Sequence, residues 1–95
     1  MTEEIFLVQT NRGSTYYASR RALAYDVVRG YVFGGRNVAP VIVRFQRVPG
    51  KAANSDIAPE VKEYLKELPN YTQTSSEERT AIVDAMKGFI DSLLD

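Results

Sequence analysis

The first regular element of the chain is Ile5-Phe6-Leu7-Val8-Gln9-Thr10, and Thr15-Tyr16-Tyr17-Ala18 follows after a short polar link. β-branched and aromatic residues favour extended strands. The link contains Gly13, a residue that tolerates the backbone angles of a tight turn. These segments therefore predict an antiparallel pair of strands at the start of the chain.

A helix and a third strand are predicted next. Ser19 has the hydroxyl of an N-cap residue, and it precedes a segment in which apolar residues recur at helical spacing up to about Phe33. Gly34-Gly35 ends this helix or, one turn earlier, Gly30 does. Alternating residues from Val38 to Val48 then predict the third strand. The apolar positions of the helix are Leu23, Ala24, Val27, Val28 and Tyr31.

The rest of the chain predicts two helices. Apolar residues recur at helical spacing from Ile57 to Leu68, and Pro69 stops that helix. Ser75 and Glu78 have the spacing of a capping box, which opens a last helix towards the C-terminus. The sequence thus predicts a single α+β domain over residues 1–95, with a small three-stranded sheet in ββαβ order followed by two α-helices.

The net charge of zero conceals a division of charge along the chain. Residues 1–51 contain eight basic and three acidic residues, and the later residues contain four basic and nine acidic ones. The domain therefore divides into a basic ββαβ part, 1–51, and an acidic helical part, 56–95. Such asymmetry points to an anionic partner for the basic part, unless the two parts pair internally.

The composition excludes several chemistries. The chain has no cysteine and no histidine, so it lacks a disulfide, a thiolate nucleophile, an imidazole base and the usual zinc ligands. No long apolar run is present, and the acidic Met1-Thr2-Glu3-Glu4 is unlike the start of a signal peptide. We expect a cytoplasmic protein that is not an enzyme, with no catalytic residue, metal, cofactor or membrane partner.

The arginines supply the candidate partner-binding site. Arg20 and Arg21 open the first helix, where cations oppose the helix dipole, and residues that break a local rule often mark a site. With the hydroxyl and free amides near Ser19 they predict an anion-binding pocket. The alternative is that Asp26, Glu3 or the acidic helices pair with these arginines. The candidate residues are Arg12, Ser19, Arg20, Arg21, Arg36, Arg44 and Arg47.

The last helix supplies a candidate dimer face. Its apolar stripe is wide, and core packing is the simple explanation for it. The alternative is that Phe89, Leu93 and Leu94 pair with a second copy of the chain, because a small domain gains core by dimerising.

Two functions remain open. The first is a small, non-enzymatic interaction or inhibitor protein that docks on a protein or nucleoprotein complex through charged surfaces. In size and charge alone the chain resembles small phage-encoded inhibitors of host defence complexes, including anti-CRISPR proteins. The alternative is a nucleic-acid-binding module in which the arginines contact phosphates and Tyr16 or Tyr17 stacks on bases.

Overall fold

The computed structural model describes residues 3–11, 13–33, 40–47 and 56–94, with the backbone alone at residues 3 and 43–47. Three strands and three helices follow one another in the order ββαβαα, which confirms the predicted α+β class. A single 3-10 turn, Tyr71–Gln73, joins the last two helices. The elements are β1 Glu3–Thr10, β2 Gly13–Tyr17, α1 Arg20–Val28, β3 Val41–Arg47, α2 Ala58–Leu65 and α3 Ser76–Leu94.

The sheet has the order β2-β1-β3, and both pairings are antiparallel. Phe6 pairs with Tyr17 of β2 on one side and with Arg44 of β3 on the other. Val8 pairs with Ile42. The most apolar strand therefore lies at the centre of the sheet, where it is paired on both sides.

All three helices contribute to a core on one face of the sheet. Phe6, Val8 and Ile42 point into this core and are almost completely buried. Burial of apolar side chains is the main favourable term in folding, so this face holds the two layers together. The helices contribute Leu23, Ala24, Val27 and Val28 from α1, Ala58 and Val61 from α2, and Ile82, Val83, Met86 and Ile90 from α3.

The opposite face of the sheet is also apolar. Ile5 and Leu7 are half-buried, and neither belongs to the core or packs against it. Their register partners in β3 are Phe45 and Val43. Tyr16, the partner of Leu7 in β2, is 67% exposed.

Helix α1 begins and ends at clear local signals. The Ser19 hydroxyl accepts from the Ala22 amide at 3.1 Å, which confirms the predicted N-cap. Gly30 takes a φ of +85°, and the Tyr31 amide donates to the Asp26 carbonyl at 3.0 Å. This Schellman-type ending stops the helix at Val28, which agrees with the earlier of the two predicted ends, at Gly30, and not with the end near Phe33. The prediction that Tyr31 continues the apolar stripe of this helix is wrong, since Tyr31 follows the helix and is 60% exposed.

Asp56 connects β3 to α2. Its Oδ1 accepts from the Ile42 amide at 3.0 Å and from the Ala58 amide at 2.9 Å. The Ile57 amide also donates to the Ile42 carbonyl at 3.0 Å. One carboxylate thereby satisfies a strand donor and a helix N-terminal donor together. Helix α2 ends at Leu65, earlier than the predicted Leu68.

Candidate functional site

Arg20 is an internal ion-pair partner. Its Nε and Nη2 donate to the two carboxylate oxygens of Glu4 at 3.0 and 2.7 Å, and its Nη1 donates to Asp91 Oδ1 at 2.8 Å. The Arg20 side chain is 17% exposed. The hydrogen bond from Arg20, followed by one from Lys87, lowers the pKa of Asp91 against an opposing desolvation effect. This geometry matches the alternative in which the arginines pair with acidic residues of the chain itself.

Arg21 lies at the surface beside Arg20. Its Nη1 forms an ion pair with Asp84 of α3, and both side chains are more than half exposed. Exposed pairs of this kind contribute about 0–1 kcal/mol, so Arg21 can exchange its partner at little cost.

The other candidate arginines are not brought together by the described part of the structure. Arg44 and Arg47 belong to β3, where they pair with Phe6 and Glu3 through the backbone. Arg12 and Arg36, and the side chains of Arg44 and Arg47, lie outside the described residues. Only Ser19, Arg20 and Arg21 are therefore seen as neighbours, and a shared role in binding stays a prediction.

A different group of arginines and tyrosines forms a continuous surface. The Arg29 guanidinium lies 4.5 Å from the ring centre of Tyr25 and 4.4 Å from that of Tyr31. Tyr25 meets Tyr71 edge to face, with 6.2 Å between the ring centres. The Arg79 guanidinium lies 5.1 Å from the Tyr71 ring. We call these five residues the arginine–tyrosine ladder.

Sequence reasoning missed the ladder. Tyr25 is 42% exposed, although it follows directly after the buried Leu23 and Ala24 of the same helix. A tyrosine off the apolar stripe, four residues before an arginine, was the available signal, since residues at this spacing are neighbours on a helix surface. The contact with Tyr71 depends on how α3 and its preceding turn pack, which local spacing does not show.

Asp26 anchors one end of the ladder. It accepts a hydrogen bond from the Tyr17 hydroxyl at 2.6 Å and lies 3.5 Å from Arg29 Nη1. Burial first, and then this hydrogen bond, raises the pKa of Tyr17 well above its ordinary range, while Arg29 lowers it. The Tyr17 hydroxyl is therefore hydrogen-bonded within the fold, whereas Tyr16, the other candidate for base stacking, is exposed.

A groove of about 590 Å³ adjoins the ladder between α1 and α3. Arg79 is held there by its own chain, because its Nε donates to the Tyr71 carbonyl at 3.0 Å and its Nη2 to the Thr72 carbonyl at 3.2 Å. Partial desolvation, then the hydrogen bond with Tyr25, raises the pKa of the Tyr71 phenol, and Arg79 opposes this. The groove is lined by Arg21, Ala22, Tyr25, Tyr71, Ser76, Arg79, Thr80 and Val83.

The candidate dimer face is divided between contacts inside the chain and the surface. The Phe89 ring stacks on Tyr64 of α2, with 4.2 Å between centres and 2° between planes. Leu94 packs against the core, and Leu93 is 36% exposed. Leu93 is thus the most accessible of the three, and dimerisation through this face stays a prediction.

The acidic helices show an ordinary charged surface. Glu63 pairs with Lys66 at 3.1 Å, and Asp91 pairs with Lys87 at 2.8 Å. Over residues 3–11, 13–33, 40–47 and 56–94, no three acidic side chains come together in a way that suits a metal ion. In the same ranges, no helix has both the length and the apolar character needed to cross a bilayer.

Compared with known proteins, the chain matches no family model, no curated protein and no solved structure.

Proposed function

We propose that this protein is a non-enzymatic interaction protein that docks on a macromolecular partner, a protein or nucleoprotein complex, through the arginine–tyrosine ladder. The observation that carries the proposal is Arg29, held between the rings of Tyr25 and Tyr31 at 4.5 and 4.4 Å. Both rings present a large part of their surface to solvent.

The composition of the ladder supports a protein interface. Tyrosine and arginine are enriched among the residues that dominate binding energy at such interfaces. A tyrosine has few rotatable bonds, so it offers a large contact area at a small cost in conformational entropy. Stacking on Arg29 orders Tyr25 and Tyr31 before a partner arrives, which lowers the cost of binding further.

The electrostatics favour a protein over bare nucleic acid. Arg20, Arg21 and Arg29 each have a carboxylate within 4.0 Å, so much of their positive charge is balanced within the chain. Binding to a phosphate backbone depends on unbalanced cations that release counterions. The resemblance in size and charge to phage-encoded inhibitors supports, as the specific form of this function, inhibition of a nucleoprotein complex.

Nucleic-acid binding is the second candidate. It is favoured by the exposed rings of Tyr25 and Tyr31, since aromatic rings beside arginines stack on the bases of single strands. Fluorescence anisotropy with short single- and double-stranded oligonucleotides at two salt concentrations tests it. Affinity that falls steeply with salt supports this candidate, and no binding at low salt excludes it.

The main proposal is tested by quantitative affinity capture from cells in which the protein is made, with nuclease-treated and untreated extracts. A partner protein should be retained after nuclease treatment and lost on Tyr31→Ala. Tyr16→Ala is the matched control, because Tyr16 has a similar exposed fraction and lies on β2, outside the ladder. Equal capture by both variants would exclude the ladder as the docking surface.

A further inference from the structure

We infer that the groove between α1 and α3 receives an acidic side chain of the partner protein, whose carboxylate binds Arg79. The inference rests on the proposed function and names the chemistry of the partner at one point: an aspartate or glutamate next to an apolar residue. The carboxylate would meet guanidinium N–H groups, and the apolar neighbour would lie on the tyrosine rings and Val83.

Arg79 is oriented and has donors to spare. Two of its five N–H groups donate to the Tyr71 and Thr72 carbonyls, and the guanidinium packs on the Tyr71 ring. Its Nη1 donates to no acceptor among the described residues, and none of their carboxylates lies within 4.0 Å of Arg79. A positioned guanidinium with open donors is suited to donate a charge-assisted hydrogen bond to a partner carboxylate.

Arg21 adds a second guanidinium to the same groove. Its present partner, Asp84, is more than half exposed, so the ion pair is weak and can be shared with an incoming carboxylate. Glu77 and Glu78, the acidic residues in the first turn of α3, do not line the groove. The lining therefore carries positive charge that is balanced at Arg21 and unbalanced at Arg79.

That balance selects a carboxylate over a phosphate chain. One unbalanced guanidinium matches the single charge of an aspartate or glutamate, whereas duplex DNA carries a charge about every 1.7 Å along its axis. The groove volume of about 590 Å³ lies within the usual range for sites that hold several side-chain-sized groups. Its Ala22 and Val83 provide apolar contacts that a purely ionic ligand would not use.

The test follows amide and arginine Nε–H correlations by NMR during titration with the tripeptide acetyl-Glu-Leu-Glu-amide. We expect saturable shifts at the Nε–H of Arg79 and the amides of Ser76 and Thr80. Acetyl-Gln-Leu-Gln-amide should bind at least tenfold more weakly, because it keeps the shape and loses the charge. Equal binding of the two peptides, or shifts confined to other residues, would overturn the inference.

Variants of the two arginines complete the test. Arg79→Gln should weaken binding of the glutamate peptide at least tenfold, and Arg21→Gln several-fold. Lys62→Gln is the control, since it removes the same charge from an exposed position on α2. If Arg79→Gln disturbs the turn that it holds, as its own spectrum would show, Arg21→Gln decides the result, and unchanged binding would count against the groove.

An oligothymidylate of about ten nucleotides is the competing probe. Stronger shifts of the same residues by this probe would replace the acidic peptide with nucleic acid as the ligand.

The docking-surface proposal and the groove inference can fail separately. Capture that depends on Tyr31 without binding of the glutamate peptide leaves the docking surface intact and refutes the groove. Binding of the glutamate peptide at Arg79, without a partner whose capture depends on Tyr31, supports the groove and refutes the docking surface.

Discussion

Arg20 Nη1 donates to Asp91 Oδ1 at 2.8 Å, which joins the first turn of α1 to the last turns of α3 across 71 positions of the chain. The same guanidinium binds both oxygens of Glu4 in β1. A cation in the first turn of a helix is unfavourable by about 0.3–1 kcal/mol when it is exposed. Two carboxylates offset this at Arg20, so the residue links β1 of the sheet to α1 and α3.

Replacement of Arg20 by alanine should therefore destabilise the fold. Arg20→Ala removes the guanidinium that joins Glu4 to Asp91, although Asp91 keeps its ion pair with Lys87, and we expect a loss of about 2 kcal/mol. For a domain of this size, that corresponds to a fall in Tm of about 10 °C. Thermal unfolding followed by circular dichroism measures the change.

The neighbouring arginine provides the control. Arg21 has an exposed partner, so Arg21→Ala should change stability by about 0.5 kcal/mol or less. Equal effects of the two substitutions would show that the ion pairs of Arg20 contribute no more than a surface contact. Arg20 would then be able to exchange its partners at little cost, as Arg21 is.

Because of Asp91, the stability of the fold should decrease at acidic pH. Its pKa is lowered in the folded state, mainly by the hydrogen bond from Arg20. The carboxylate therefore stabilises the fold above its unfolded pKa of about 3.9, and this contribution disappears as the pH falls through the lower, folded value. Asp91→Asn should have a lower Tm than the wild type at neutral pH, and the difference should narrow below about pH 4.

Asp84→Asn is the matched control for this pH dependence, because it makes the same change on the same helix at an exposed ion pair. Its difference in Tm from the wild type should be small throughout. A difference for Asp91→Asn that stays constant down to about pH 2 would contradict the assignment of the acid dependence to Asp91.

Because of Tyr17, the stability of the fold should decrease at alkaline pH. Burial and the hydrogen bond to Asp26 raise its pKa in the folded state. The neutral phenol thus stabilises the fold below its unfolded pKa of about 10, and the contribution is lost as the pH rises towards the folded value. Tyr17→Phe should cost about 1 kcal/mol at neutral pH, and the deficit should shrink above about pH 10.

Phenolate absorbance gives a second measurement of the same group. Ultraviolet titration should show less late-ionising phenol in Tyr17→Phe than in the wild type, since Tyr71, whose pKa is also raised, is present in both. Tyr16→Phe, at an exposed position, should leave that late step unchanged. A late step of the same size in Tyr17→Phe as in the wild type would assign all of it to Tyr71.

Much of the fold follows from local chemistry. The β1–β2 pairing was predicted from short-range signals, and the Ser19 cap was identified by its hydroxyl. The face that β3 presents to the helices was not predictable from the sequence. Of the two alternating sets of residues in β3, the set with Val41 and Val43 is more apolar than the set with Ile42, whose other members are polar. The pairing of Ile42 with Val8 settles this, and it is a contact between distant parts of the chain.

Less of the candidate site follows from the sequence. Charge counting identified Arg20 and Arg21 and named the acidic helices among their possible partners, but it did not identify the individual carboxylates Glu4, Asp84 and Asp91. Helical spacing placed Tyr31 on the apolar stripe of α1, which holds only if the helix continues past Gly30, the earlier of its two predicted ends. The left-handed φ of Gly30 ends the helix and leaves Tyr31 beside Arg29 at the surface. Backbone geometry at one glycine thus creates part of the ladder.

The dimer prediction separates Phe89 from Leu93. Phe89→Ala removes a ring stacked on Tyr64, so it should cost about 1–2 kcal/mol whether or not the chain dimerises. Leu93 is the more exposed, and Leu93→Asp should leave the monomer fold nearly unchanged. If the last helix forms a dimer face, light scattering at micromolar concentration should report twice 10.7 kDa for the wild type and 10.7 kDa for Leu93→Asp. A wild-type mass of 10.7 kDa would assign the whole apolar stripe of α3 to the core and its packing with Tyr64.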